Sequence, residues 1–293
     1  MDSRYERDPA PLLEIDEIRV TRSRSYSGGD SKREAEVAAS RPVAIITGSA
    51  TGIGAAVACR LAAKGVNVVI NYSKSAEAAE ATAAECRARG VEALLCQADV
   101  ASDADCRRLA AAALEAWGRI DYLVNNAGTT VFAAHHDLEA IQAEDFRRIY
   151  EVNVIGAFQM VRAVAPAMQA QGRGAVVNVS SVAGLAGIGS SIAYAASKGA
   201  LNTLTLSLAR SLGPAIRVNA VCPGMVQTRW LQQGLGAERY ARTLAGIEKS
   251  TPLKQASTPD DIAEPVVWLL DAAAHVTGEV ITVDAGLHLG FAV

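Results

Sequence analysis

From residue 42 onward, apolar and polar positions fall into alternating blocks. "PVAIIT" is a continuous apolar run of strand length, and residues 53–64 follow with helical spacing. The unit then recurs: strand "VNVVINY" (66–72), alanine-rich helix 76–89, strand "EALLCQ" (92–97), helix 103–117, strand "IDYLV" (120–124). A long helical region covers about 144–170. After it come strand "GAVVNVS" (174–180), helix 191–212, strand "IRVNAV" (216–221), helix 259–270 and strand "EVITV" (279–283). Strands that are apolar on both faces and alternate with helices predict an α/β fold. It is a Rossmann-type doubly wound sheet of about seven mostly parallel strands with helices on both faces. Two stretches break the rhythm. Residues 1–40 are polar and aperiodic and predict a flexible N-terminal extension, in which only Leu12 to Val20 suggests order. Residues 225–255 lack a strand pattern and follow a sheet strand, the place of a mobile lid over a cleft. Residues 41–293 are therefore expected to be one domain with a lid at about 225–255.

Composition narrows the classes. The 293 residues are 50% hydrophobic with a formal net charge of −3, so nothing points to a nucleic-acid partner. The five cysteines form no CxxC pair, and the four histidines have no metal-ligand spacing. Reduced thiols, no metal and a cytoplasmic location are the expectation. Residues 174–197 carry no charge, but Asn178, the serines and the glycines suit a buried strand and loop rather than a bilayer. No membrane partner is expected.

Candidate chemistry lies at the carboxyl ends of the expected strands. "TGSATGIG" (Thr47 to Gly54) joins the first strand to a helix. Gly48, Gly52 and Gly54 permit a tight turn and close approach, and the helix N-terminus offers N–H groups to a pyrophosphate. The second strand ends "INYSKS" (Asn71, Tyr72, Ser73, Lys74) without an acid to bind a ribose 2′-hydroxyl. A 2′-phosphate is tolerated there, so NADP(H) is favoured, and NAD(H) stays open. Asp99, followed by Val100, either caps the adenine edge or caps a helix, in competition with Asp103. "NNAG", with Asn126, Ala127 and Gly128, either lines the cofactor or ties strands together. Tyr194 and Lys198 stand four apart on one helical face. A free tyrosine is ~0.1% phenolate at pH 7, and a neighbouring ammonium lowers its pKa. The pair then acts as a tuned acid or base toward a carbonyl oxygen or an alcohol. Their small neighbours leave room for a flat ring and a substrate. Ser181 follows the fifth strand, and Asn153 sits inside a long helix where asparagine needs a reason.

"TGSATGIG", "NNAG", "NVIGAF", "VVNVSSVAG", "YAASK" and "CPGMVQT" occur in that order. Arg41 to Leu289 thereby resembles the classical short-chain dehydrogenase/reductase family, most closely its 3-oxoacyl-carrier-protein-reductase-like members. The resemblance implies roles. Tyr194 is the proton donor or acceptor, and Lys198 binds the nicotinamide ribose and lowers the tyrosine pKa. Ser181 positions the carbonyl, Asn153 holds a water linking Lys198 to solvent, and Ser180 is a strand-end neighbour. It also implies that Ser49, Thr51 and Ile53 belong to the glycine loop. Pro223, Gly224, Val226 and Thr228 cover the nicotinamide and diphosphate. Thr51 departs from the Arg or Lys that many NADP-preferring members carry there. The expected reaction is NADPH-dependent reduction of a ketone, or in reverse oxidation of a secondary alcohol. A non-catalytic cofactor-binding regulator or scaffold, and a sugar epimerase or dehydratase, are the competing classes. Trp230, Leu231, Leu235 and Tyr240 in the lid predict a medium or large apolar ketone. The small-residue faces of 144–170 and 191–212 and the apolar "GLHLGFAV" predict a homo-oligomer, tetramer or dimer.

Overall fold

The computed structural model describes residues 41–290. The expectations for the N-terminal 40 residues and for the last three lie outside these residues. The sheet has seven strands: β1 (Val43–Ile46), β2 (Asn67–Tyr72), β3 (Ala93–Gln97), β4 (Tyr122–Asn125), β5 (Gly174–Val179), β6 (Ile216–Pro223) and β7 (Val280–Val283). Their order is β3-β2-β1-β4-β5-β6-β7, and every pairing is parallel. The helices are α1 (Gly52–Ala63), α2 (Ala76–Arg87), α3 (Asp103–Trp117), α4 (Ala143–Tyr150), α5 (Ala157–Ala170), α6 (Ala183–Ala186), α7 (Ile192–Leu212), α8 (Arg229–Leu235), α9 (Ala237–Ser250) and α10 (Pro259–Asp271).

Alternation along each strand explains the two layers. In β1, Ala44 and Ile46 pack with α1, α2 and α10, through Val57, Leu61, Ala83 and Ile262. Val43 and Ile45 point the other way, onto α3, α5 and α7 through Leu109, Met160 and Leu208. The chain leaves β1 toward β2 and β3, then returns past β1 to β4. That reversal opens a crevice between β1 and β4 at their carboxyl ends, where open α/β sheets bind ligands.

Three local differences from the sequence reading have physical reasons. β4 starts at Tyr122 rather than 120, because the Asp121 carboxylate accepts from the Val43 N–H and holds the chain before the strand. The long helix is not continuous. Residues 151–156 form a π-helical segment between α4 and α5, and Asn153 lies within it. π-turns of this kind re-aim side chains and recur at functional sites. Gly156 lets the segment press against β3's exit, since a Cβ there would sit 2.9 Å from Val100. Finally, 225–255 is mostly helical, folded as α8 and α9, with no buried residue in either helix.

Candidate active site

A cleft of about 1150 Å³ runs along the carboxyl ends of the strands, from the glycine loop to α8 and α9. Gly48 and Gly52 have φ of +62° and +61°, which L side chains rarely adopt. Gly54 is required by contact instead, because a Cβ there would lie 2.6 Å from the Asn126 amide and 2.7 Å from the Gly48 carbonyl. Thr51, exposed, gives α1 no side-chain cap, and the first turn holds no acid. The first N–H groups of α1 are thus left for an anion. Thr228 closes this end from above, its methyl 3.5 Å from the place of a Cβ on Gly52, and its hydroxyl caps α8 through the Leu231 N–H.

Much of this end is held by side chains spent on the protein. Asn71 is buried; its Oδ1 accepts from the Gly48 N–H at 3.0 Å, and its Nδ2 donates to the Ala98 carbonyl at 3.0 Å. This corrects its expected place as a 2′-phosphate ligand: the amide builds the loop. Ser73 and Lys74 are exposed along the cleft, next to Tyr72. Ser49 donates to the Ile46 carbonyl and accepts from the Asn71 N–H. Asn126 donates to the carbonyls of Thr47 and Gly48, and Asn125 donates to Asn178 on the next strand. In "NNAG", therefore, both amides tie neighbouring segments together, while Asn126, Ala127 and Gly128 still line the cleft. Thr47 was not singled out from the sequence, yet its hydroxyl accepts from the N–H groups of both Asn126 and Ala127 at 3.0 Å. Asp99 and Val100 line the cleft. Helix capping falls to neither Asp99 nor Asp103: Ser102 caps α3 by accepting from the Asp105 N–H.

Tyr194, Ser181 and Lys198 meet at the floor of the other end. Ser191 caps α7 through the Tyr194 N–H, and the next turn brings Lys198 under the tyrosine, its Nζ 5.6 Å from the ring centroid. Lys198 is buried and donates to the Val179 carbonyl at 2.8 Å. Burial pulls its pKa down to about 8. Burial pushes the half-buried Tyr194 phenol up to about 12, and the Ser181 hydroxyl beside it pulls the other way. The opposing pull comes from the Ser181 hydroxyl rather than from Lys198, and desolvation of the phenol is the larger effect. Ser180 is buried and donates to the Lys198 carbonyl. Asn153 is buried; its Oδ1 accepts from the Thr129 N–H at 2.8 Å, and its Nδ2 donates to the Thr129 carbonyl and the Ser197 hydroxyl at 3.0 Å. It fixes the loop after Gly128, where a Cβ would come 3.8 Å from the lysine Nζ.

The small residues of α7 have a second cause besides room for a substrate. A Cβ on Gly184 would lie 2.5 Å from the Lys198 backbone and 2.6 Å from the Gly199 nitrogen. The α6 turn thus rests directly on the backbone of α7. Above Tyr194, Trp230 of α8 comes within 6.4 Å of its ring and within 5.7 Å of Phe132, centroid to centroid. Pro223, Gly224, Val226, Leu231 and Leu235 complete this wall. Tyr240 does not line the cleft. Arg239, Thr243 and Ile247 do, because four-residue spacing on α9 puts those three on one face and Tyr240 beside it.

A family model described as "Enoyl-(Acyl carrier protein) reductase" matches residues 48–288. The chain belongs to the short-chain dehydrogenase/reductase family. A relative from Streptomyces violaceoruber, named "Granaticin polyketide synthase putative ketoacyl reductase 2", is 46% identical over 248 residues, 85% of this chain and 96% of that protein. The 3-oxoacyl-[acyl-carrier-protein] reductase of a Synechocystis strain is 36% identical over 84% of this chain and 96% of its own. Among solved structures, 7α-hydroxysteroid dehydrogenase complexed with NADH and 7-oxo glycochenodeoxycholic acid superposes with a TM-score of 0.76 at 33% identity. The match covers 84% of this chain and 93% of that one. As a short-chain dehydrogenase/reductase the protein is an oxidoreductase of alcohol and ketone groups, and the family uses NAD(P)(H). No helix among the described residues is long and apolar enough to cross a membrane.

Proposed function

We propose that the chain reduces a medium or large apolar ketone to a secondary alcohol with NADPH. The observation that carries this reading is Tyr194 set beside Ser181 and above Lys198, under the rings of Trp230 and Phe132. The uncapped N-terminus of α1, the glycine cradle and Thr228 fit a dinucleotide diphosphate. Ser73 and Lys74, with no acid at the end of β2, fit a 2′-phosphate. Asp99 and Val100 form the wall for the adenine, and Pro223, Gly224 and Val226 that for the nicotinamide. When bound, the nicotinamide supplies the hydride.

The protein's own residues do the rest. Ser181 holds the carbonyl oxygen, and the Tyr194 phenol donates the proton that makes it an alcohol. A phenol whose pKa lies well above 7 is in the acid form needed for that donation. Lys198 reaches the ribose and stabilises the phenolate left behind. Asn153 holds the 128–129 loop in place around Lys198. α8 and α9 act as the lid, and Trp230, Leu231 and Leu235 give the substrate its apolar face. The exposed apolar Ile155, Phe158 and Leu206 on the 144–212 helices support a homo-oligomer, and the reading places the enzyme in the cytoplasm.

Thr51 in the glycine loop favours a second reading, an NAD-dependent secondary-alcohol dehydrogenase. The test is a fluorescence titration with NADPH and NADH, followed by turnover of a bulky cyclic ketone. NADPH binding at least about tenfold tighter, with reduction of the ketone, supports the reductase. Equal or tighter NADH binding supports the dehydrogenase. Cofactor binding with no turnover of ketones or alcohols supports a non-catalytic role.

A further inference from the structure

The charge lining the cleft is one-sided. Besides Lys198 beneath Tyr194, four further cations, Lys74, Arg148, Arg229 and Arg239, line it against a single carboxylate, Asp99, in a chain of formal net charge −3. Asp99 accepts from the Ala101 N–H. Among the described residues none of the four cations has an ion pair, and the acid nearest Arg239 in sequence, Glu238, pairs instead with Arg242 at 3.8 Å.

Neighbours separate the four. Lys74 follows β2 beside Ser73, and Arg229 follows Thr228, which packs over Gly52; both belong to the nucleotide end. Arg148 stands on α4, one and a half turns before Asn153. Arg239 differs from these. It shares the inner face of α9 with Thr243 and Ile247, one helical turn, or about 6 Å, between each. That face continues the wall formed by Trp230, Leu231 and Leu235, which begins over the Tyr194 ring. An apolar substrate wall thus ends in one unpaired, exposed guanidinium. A guanidinium is donor-only and permanently charged, and its fork matches a carboxylate or phosphate.

We infer that Arg239 is a specificity-determining residue that holds an anionic group, carboxylate or phosphate, carried by the substrate at the end remote from its ketone. The apolar body of the substrate lies along Trp230, Leu231 and Leu235, and the charge reaches Arg239 at the rim. The inference rests on the ketone-reductase reading and deepens it.

Three ketones with the same ring and tail test it, one tail ending neutral, one in a carboxylate and one in a phosphate monoester. For the wild-type enzyme at low salt, an anionic ketone is expected to exceed the neutral one about fivefold in kcat/KM, through KM, as befits an exposed charge pair. Which anion gains more identifies the group. The advantage shrinks as salt screens the rim. In Arg239→Gln the ratio of anionic to neutral kcat/KM falls to about one, and Arg239→Lys recovers part of it. A wild-type enzyme that turns over neutral and anionic ketones alike overturns the inference alone, as does an Arg239→Gln variant that keeps the full ratio. No turnover of any of the three overturns the reductase reading and the inference with it.

Discussion

At the nucleotide end of the cleft, polar side chains are spent on the fold: Asn71, Ser49, Thr47 and Asn126 hydrogen-bond to backbone and leave the ligand to backbone N–H groups. At the roof, α8 and α9 bury no residue, and Trp230 stays 45% exposed. The first end is over-determined and suits a group common to every turnover. The second is held by few contacts, and such elements open at low cost. The difference separates two kinds of residue that a list of cleft-lining positions would merge. Some build the cleft, and others meet what enters it.

Substitutions can break that contrast. The largest effect is expected from Gly54→Ala. Its methyl has no space beside the Asn126 amide and the Gly48 carbonyl, so the loop must shift, at a cost of roughly 1–3 kcal/mol in overpacking. Nucleotide binding should fall below detection in a fluorescence titration, with a lowered Tm. Next comes Asn71→Ala, which strands the part-buried Gly48 N–H and the buried Ala98 carbonyl at a cost of about 1–3 kcal/mol. Tm and the affinities for NADPH and NADH should fall together, leaving their ratio unchanged. Lys74→Ala should do the reverse, reducing the NADPH preference severalfold with Tm intact; a changed ratio in Asn71→Ala would erase the distinction. A similarly small effect on the fold is expected from Trp230→Ala. Tm should stay within about 1 °C, as for an exposed site outside the core, while KM for a bulky ketone rises about tenfold. A Tm drop comparable to that of Asn71→Ala would show that the roof is part of the fold.

The sequence was most legible where periodicity and backbone chemistry coincide. Uninterrupted apolar strands gave the parallel sheet, because only a sheet covered on both faces uses them. The glycine turn was legible because tight turns restrict residue choice. Tyr194 and Lys198 were legible from their four-residue spacing, and Ser181 from its place at the end of β5, which meets the start of α7 at the same sheet edge; their roles came from the family resemblance. What escaped was direction. Asn71 and Asn126 were visible as polar residues at strand ends, but whether an amide faces a ligand or its own backbone depends on the neighbouring loop. The π-segment around Asn153 leaves no periodic mark over six residues. Tyr240 was misplaced because its phase depends on α9 starting at Ala237, and Arg239 went unnoticed for the same reason. The desolvation that pushes the Tyr194 phenol up cannot be read from a four-residue spacing.

The role of Tyr194 as the proton donor is tested most directly by Tyr194→Phe. The measurement is single-turnover reduction of a bulky cyclic ketone, with NADPH binding and circular dichroism recorded on the same preparation. Loss of the phenolic proton should lower the rate about 10²–10⁴-fold, the usual contribution of a positioned general acid, while cofactor affinity and fold persist. A variant that turns over at the wild-type rate would contradict the assignment and return Tyr194 to a wall residue of the cleft.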